Sequence, residues 1–307
     1  MKVSVVIVNY KNPHLIVQCI KSIVEHEKIV EYEIIVVDND SQDDAEQQLR
    51  AICPNIKWIQ MGYNSGFTKA NNTGIKVATG DFIFFLNADT ILIGPIFGKM
   101  ANCLAVAPKI GAVGCRLLNS DKSLQFSYHN GDRFFRKLWW RNPLAIKLGC
   151  SRRNEFDKFC IVENHNHDHS PRWICGAAIM MRRQDIVSQS LYWDEDFFMY
   201  WEDVELCYRI RKSGMKIVYM ADPSIIHLGG GGSNVSVERF AQMETSKLLC
   251  IEKTRGRVAA KIYKFLMRKE LKLELKLEKK AGHSIESMFA KVLTFYGIEY
   301  ENTISEY

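Results

Sequence analysis

Val3-Ser4-Val5-Val6-Ile7-Val8, followed by Asn9-Tyr10-Lys11-Asn12-Pro13, is a run rich in β-branched apolar residues cut off by a polar break. Such a run predicts a strand covered on both faces. Asn12 can cap a helix that has Pro13 at its first position. Leu15, Ile16, Cys19, Ile20, Ile23 and Val24 then form a broad apolar helical face. The cycle repeats. Ile34–Val37 reads as a second buried strand, ending at Asp38-Asn39-Asp40-Ser41. Ser41 with Asp44 has the spacing of a capping box for the next helix, which Pro54 ends. Lys57–Gln60 is a short third strand, Asn64-Ser65-Gly66 a turn, and a helix runs on to about Ala78. Phe82–Leu86 is a fourth strand, closing on Asn87-Ala88-Asp89-Thr90.

Four strand–helix alternations predict an α/β fold with a mostly parallel, doubly wound sheet and ligand sites at the carboxyl ends of its strands. The clusters at Asn9-Tyr10, Asp38-Asn39-Asp40 and Asn87-Ala88-Asp89 all fall at such ends. One polar strand end is trivial; three on one edge point to a site. No Gly-x-Gly-x-x-Gly follows the first strand, which argues against a dinucleotide-dependent oxidoreductase. No Gly-x-x-x-x-Gly-Lys supports a nucleotidyl or phosphoryl transferase.

Beyond residue 90 the pattern is less regular. Ile110–Leu117, Leu124–Ser127, Trp173–Met181 and Lys216–Met220 read as strands, the third with Gly176-Ala177-Ala178 at its centre, where small residues allow close approach. Residues 129–170 read as a long inserted loop. Its His165-Asn166-His167-Asp168-His169 cluster reads as exposed polar chain in preference to a metal site. The most chemically loaded segment is 194–214. There Asp194, Glu195 and Asp196 lead through Phe197, Phe198, Tyr200 and Trp201 to Glu202 and Asp203. Leu206 and Ile210 share a helical face, cations fill the last turns and Gly214 stops the helix. Glu202 and Asp203 therefore open a helix walled by aromatics, a place where a carboxylate can serve as general base or as an N-cap. Gly229–Gly232 is a flexible linker or a flap over a site.

Taken in series, these motifs resemble the inverting nucleotide-sugar glycosyltransferases of family 2 with the GT-A fold, in particular a bacterial rhamnosyltransferase-like branch. The resemblance rests on residues 3–10, 36–41, 64–67 with Asn71 and Gly74, 85–89, Gly176-Ala177, 197–207 and His227 with its glycines, and so covers about 1–235. It implies a catalytic domain at 1–235, its nucleotide-binding half at 1–90 and its acceptor half at 91–235, with a helical extension at 236–307. By resemblance, Asp38 accepts the ring N–H of the base and Asn9 and Tyr10 frame it. Asn64, Gly66, Asn71 and Asn87 line the nucleotide side. Asp89 and His227 hold Mg2+ or Mn2+, with Asn87 standing where the family's metal motif has Asp. Gly176, Ala177 and Trp201 belong to the sugar and acceptor pocket, and Asp203 is the base with Glu202 beside it. The reaction implied is transfer of a sugar, with dTDP-L-rhamnose the favoured donor, to a lipid-linked or glycan acceptor in cell-surface polysaccharide synthesis. UDP-hexose or UDP-HexNAc donors, or a non-catalytic membrane-associated sugar-binding protein, are the alternatives.

Composition sets the remaining bounds. The 307 residues are 47% hydrophobic and 25% charged, ordinary for a globular protein, with no run as long as a membrane span. Met1–Val8 reads as a strand and lacks a signal-peptide cleavage site. Nine cysteines without a Cys-x-x-Cys pair fit reduced core thiols and a cytoplasmic location. The net charge of +6 is uneven: residues 255–280 hold ten Lys or Arg against three Glu, a local +7. Within them, Val258, Ile262, Phe265, Leu266, Leu273 and Leu277 share a helical sector. This reads as a helix lying on the anionic inner face of the cytoplasmic membrane, or as one packed on the protein. Nucleic acid is not an expected partner, because no recognised module accompanies the charge.

Overall fold

The computed structural model describes residues 1–129, 165–231 and 237–280. It divides into two compact units: Met1–Phe198 with Glu202–Gly231, and Met199–Trp201 with Gly232–Tyr307.

The first unit opens with β1 (Lys2–Asn9), α1 (Pro13–His26), β2 (Glu31–Asp38), α2 (Ala45–Ile52), β3 (Lys57–Gln60), α3 (Phe67–Val77) and β4 (Phe82–Leu86). Next come β5 (Thr90–Leu92), α4 (Phe97–Val106), β6 (Ile110–Leu118), β7 (Leu124–Gln125) and β8 (Tyr128–His129). After the undescribed stretch follow β9 (Trp173–Ile174), β10 (Ala178–Arg182), α5 (Arg183–Ser188), α6 (Glu202–Lys212) and β11 (Lys216–His227). The main sheet runs β3-β2-β1-β4-β10-β6-β11-β5, with β7 beside β6. The β3, β2, β1 and β4 strands are mutually parallel. Beyond β4 the sheet is mixed, because β10 is antiparallel to both its neighbours and β11 is parallel to β6 but antiparallel to β5.

Side-chain alternation explains the β1 sequence. Val3, Val5 and Ile7 enter a core shared with α1, α2 and α4, while Val6 enters one shared with α3 and α6. Ile16, Cys19, Ile20 and Ile23 of α1 are fully buried in the former; each isoleucine so placed contributes about 1.5–3 kcal/mol. Ser4, the polar residue in the run, is buried too, its hydroxyl donating to Glu33 Oε1 at 2.6 Å and accepting from Gly80 N at 2.8 Å.

Several sequence expectations change. The strand expected over Trp173–Met181 is two, broken at Cys175-Gly176-Ala177. The strand expected to end at Met220 continues to His227, with a register break between Met220 and Ser224 that holds Asp222-Pro223; proline has no N–H to give the ladder. The strand expected over Leu124–Ser127 shrinks to Leu124–Gln125. The histidine cluster is not simply exposed chain. His165 is fully buried, stacked on Tyr128 with ring centroids 4.1 Å apart, and His169 bridges to Tyr219. The helix α4 begins where Ile96 N and Phe97 N both donate to the buried Glu27 Oε1.

In the second unit, α7 (Val237–Arg255) and α8 (Arg257–Lys280) pack together. Tyr263 of α8 is buried, with the Lys247 ammonium of α7 4.9 Å from its ring centroid. Among the described residues, no helix is long and apolar enough to cross a membrane. Cys19, Cys115, Cys207 and Cys250 are buried free thiols.

Candidate active site

The carboxyl ends of β1, β2 and β3 converge on the Asp38 carboxylate. Asn9 Nδ2 donates to its Oδ1 at 2.8 Å, Ser41 Oγ to Oδ1 at 2.5 Å, Ser41 N to Oδ2 at 2.9 Å and Gln60 Nε2 to Oδ2 at 2.9 Å. Ser41 is therefore not the helix cap its spacing suggested. Its hydroxyl orients Asp38, and Asp43 Oδ1 takes the Ala45 N–H at the helix start instead. Asn12 makes no side-chain cap either; its amide donates to Tyr10 O. Asn39 ties this end to the next loop, donating to Gly66 O at 3.0 Å and accepting from Ser65 Oγ at 2.8 Å. Asn64 Oδ1 accepts from Gly66 N. Gly66 sits at φ +83°, and a Cβ there would meet Phe198 O at 2.6 Å, so the position demands glycine on both counts. Asn71 is buried and its amide donates to Phe67 O inside α3. Tyr10 is exposed, with Lys11 Nζ 5.2 Å from its ring centroid.

A second group forms where β5 pairs with β11 and sets Thr90 opposite His227. Asp89 Oδ1 lies 3.3 Å from His227 Nε2, Asn87 Nδ2 lies 3.4 Å from the same nitrogen, and Leu228 N donates to Asp89 O. Burial alone would raise the Asp89 carboxyl, but the His227 imidazole and the Gly229 N–H outweigh it and hold it below its usual value. His227 Nδ1 faces Gln125 Oε1 at 2.6 Å. Asn87 Oδ1 is buried with no partner. A carboxylate beside an imidazole nitrogen, with an orphaned amide oxygen on a residue that touches the same ring, is a donor set suited to a hard dication. Among the described residues, no group of three His, Cys, Asp or Glu could hold a metal ion, so the remaining positions would fall to substrate oxygens.

The third group is held by the break between β9 and β10. Gly176 N donates to Asp203 Oδ2 at 2.9 Å and Val204 N to Oδ1 at 2.8 Å, while Asn87 N donates to Ala177 O at 2.9 Å. One tripeptide thus joins the Asp203 carboxylate to the strand end that carries Asn87 and Asp89. A Cβ on Gly176 would press on the Asp203 side chain at 3.3 Å. Burial raises the pKa values of both Glu202 and Asp203 above their ordinary values, and the Asp203 charge adds to the shift at Glu202. Glu202 Oε2 is buried without a partner. The Cys175 thiol is pushed up to about 12, by burial first and then by the charges of Asp203, Glu202 and Asp89. Backbone strain gathers around these groups: of the seven non-glycine residues at positive φ among the described residues, Lys11, Asp40, Gln42, Tyr200 and Trp201 lie at or beside site residues in sequence, the distribution expected where function holds a costly conformation in place. Trp201 belongs to the second unit, with Lys247 Nζ 5.6 Å from its ring centroid.

A family model described as Glycosyl transferase family 2 matches residues 4–165. Over 238 residues the chain is 25% identical to the O-antigen biosynthesis protein RfbC of Myxococcus xanthus, covering 74% of this chain and 17% of that protein. Over 216 residues it is 26% identical to the N-acetylglucosaminyl-diphospho-decaprenol L-rhamnosyltransferase of Mycobacterium tuberculosis, covering 63% of this chain and 66% of that one. The chain therefore spans less than two thirds of the length of either relative. The crystal structure of S. aureus TarS 1-349 in complex with UDP shares the fold, with a TM-score of 0.53 at 17% identity over 88% of this chain and 70% of that chain.

Proposed function

We propose that this chain, which belongs to glycosyl transferase family 2, moves a sugar from a nucleoside-diphosphate donor to a hydroxyl of a lipid-linked or glycan acceptor in cell-surface glycan synthesis. The observation that carries the reading is the Gly176–Ala177 backbone, which links the Asp203 carboxylate to the Asn87–Asp89 strand end. Asp203 would take the proton of the acceptor hydroxyl as that oxygen attacks the anomeric carbon and the diphosphate leaves. One in-line displacement inverts the anomeric centre. Asp38, with Asn9 and Tyr10, would hold the base, and Asn64, Gly66, Asn71 and Asn87 the rest of the nucleotide. Asp89 and His227 would hold Mg2+ or Mn2+, which when bound supplies positive charge against the leaving diphosphate. Gly176 and Ala177 are the proposed sugar contacts, and Trp201 is proposed as an acceptor contact from its place beside Glu202 in the sequence.

The M. tuberculosis relative, named as an L-rhamnosyltransferase, supports L-rhamnose as the sugar, and the proposed donor is dTDP-rhamnose. UDP-hexoses are the second class, since the TarS crystal that shares the fold holds UDP. Incubation with a panel of nucleotide sugars, Mn2+ and hydroxyl acceptors, read as nucleoside-diphosphate release, tests the proposal. Release with one donor class supports it. Donor-dependent thermal stabilisation with no release from any donor favours the non-catalytic sugar-binding reading instead.

The proposal extends to location at the inner face of the cytoplasmic membrane. In α8 the packing and outward faces differ: Tyr263 is buried against α7 and Leu266 is half-buried, whereas Val258, Ile262 and Phe265 are 72%, 47% and 56% exposed. Leu273 and Leu277 have side chains outside the described residues. Lys261, Lys264, Arg268 and Lys269 accompany the outward stripe, and each cation near an anionic surface adds about 1 kcal/mol, screened by salt. The full chain is expected to sediment with phosphatidylserine-containing vesicles at low salt and to release at high salt. Ile262→Glu with Phe265→Glu should abolish sedimentation without changing the melting temperature. Equal sedimentation of the double variant would remove the membrane from the proposal.

A further inference from the structure

We propose that Gln125 is a positioning residue that fixes the His227 imidazole with its hydrogen on Nδ1, so that the Nε2 lone pair is presented to a dication. This rests on the reading of Asp89 and His227 as metal ligands and adds a residue to it. The backbone carbonyl oxygen of His227 can only accept a hydrogen bond. Gln125 Nε2 lies 3.0 Å from His227 O and 3.0 Å from Asn119 Oδ1, and so donates both its hydrogens to acceptors. Turning the amide over would set Gln125 Oε1 against the His227 carbonyl, two acceptors in contact. The amide orientation is therefore determined, and with it the character of the atom facing the ring. Gln125 Oε1, an acceptor, is 2.6 Å from His227 Nδ1, so Nδ1 must carry the hydrogen. In the neutral ring Nε2 is then the bare nitrogen.

That bare nitrogen points to the right place. Asp89 Oδ1 is 3.3 Å from it, an ion pair when the ring is charged and, when the ring is neutral, two acceptors that a dication can share. The Asn87 amide Nδ2, a donor, lies 3.4 Å from the same nitrogen, as a bare Nε2 requires, and Asn87 Oδ1 is buried with no partner. Gln125 is itself held firmly. It lies in β7, whose pairing with β6 puts Gln125 opposite Leu117 and Leu124 opposite Leu118. The hairpin between them is closed by Asn119 N to Ser123 O at 2.8 Å and by Asn119 Nδ2 to Ser123 Oγ at 2.9 Å, while Asp121 Oδ1 accepts from Ser123 N and Oγ. The hairpin thus sets Asn119, Asn119 sets Gln125, and Gln125 sets the ring. A partner that holds the second nitrogen of a ligating histidine fixes its tautomer, and losing it costs about 10–100-fold in metal affinity.

The test uses the full chain with isotopically labelled histidine and no metal. Nitrogen-15 shifts of His227, assigned by their loss in His227→Ala, should show a protonated Nδ1 and a bare Nε2. Gln125→Leu should release that preference into a mixture of tautomers, and Gln125→Glu, which keeps an acceptor toward Nδ1, should restore it. With Mn2+ alone, followed by electron paramagnetic resonance, Gln125→Leu should bind about 10–100-fold more weakly than the wild type. A wild-type ring with its hydrogen on Nε2 would overturn the proposal, even if Gln125→Leu fails to fold. So would wild-type Mn2+ affinity in Gln125→Leu alongside weakened binding in His227→Ala, which would leave His227 a ligand without this support. Unchanged Mn2+ affinity in His227→Ala would overturn the ligand assignment itself, and the role of Gln125 with it.

Discussion

Asp203→Asn should lower turnover by about two to four decades, the range for loss of a positioned general base, while donor binding stays near that of the wild type. The carboxylate is fixed by the Gly176 and Val204 N–H groups, one to each oxygen, so its loss removes chemistry from a site that is otherwise assembled. Its burial matters to the rate. A desolvated carboxylate is a stronger base than one in water, and burial raises its pKa above that of a free aspartate. The base must be ionised to act. Turnover should therefore fall as pH drops through that raised value, and the acid limb of the kcat profile should lie above the ~4 of an unperturbed aspartate. Because Glu202 is raised with it, the limb belongs to the pair. The residual rate of Asp203→Asn should lack this limb. Near-normal turnover in the variant would sink the assignment; loss of turnover together with loss of donor binding would mark Asp203 as a binding residue instead.

Gly229→Ala should weaken Mn2+ binding about tenfold or more although no ligand is changed, an effect like that of losing a ligand's support. A Cβ at Gly229 would run into Asp89 Oδ2, and His227 Nε2 lies 3.9 Å from the same point. Asp89 has a short side chain and cannot move aside without leaving His227. Gly94→Ala is the control, since a Cβ there meets nothing within 4 Å. The glycine run, read from sequence as linker or flap, has at Gly229 a steric reason to be glycine. Titration of both variants with Mn2+ checks this; equal affinity in Gly229→Ala and the wild type would show that Asp89 accommodates the methyl or does not bind the ion.

The first half of the fold was legible because burial on both faces leaves little ambiguity. β1, β2 and β4 each hold a buried apolar run ended by polar residues, and β3 and β4 have the boundaries expected. Parallel order then places Asn9, Asp38 and the Asn87–Asp89 strand end on one edge, so these residues could be singled out without coordinates. The second half hides its signals in distant residues. The α4 start is capped by Glu27, about 70 residues earlier in the chain, and nothing near Phe97 announces it. The Trp173–Met181 run looks like one strand because the hydrogen bonds that break it come from Asp203 and Asn87. Ser41 fits a local capping pattern, yet its partners are Asp38 and Asn9. Gln60 and Gln125 were missed for the same reason: a polar residue at a strand end resembles any other until its partner is known. The GT-A fold implied by the resemblance is the fold found.

The anomeric configuration of the transferred sugar tests the account most directly. Single displacement by an acceptor activated at Asp203 requires inversion. With the donor that releases nucleoside diphosphate, the first product formed should show, by the one-bond carbon–proton coupling at its anomeric carbon, the configuration opposite to that of the donor, and Asp203→Asn should form it about a hundredfold or more slowly. A product that retains the donor's configuration would contradict a single displacement and with it the role given to Asp203.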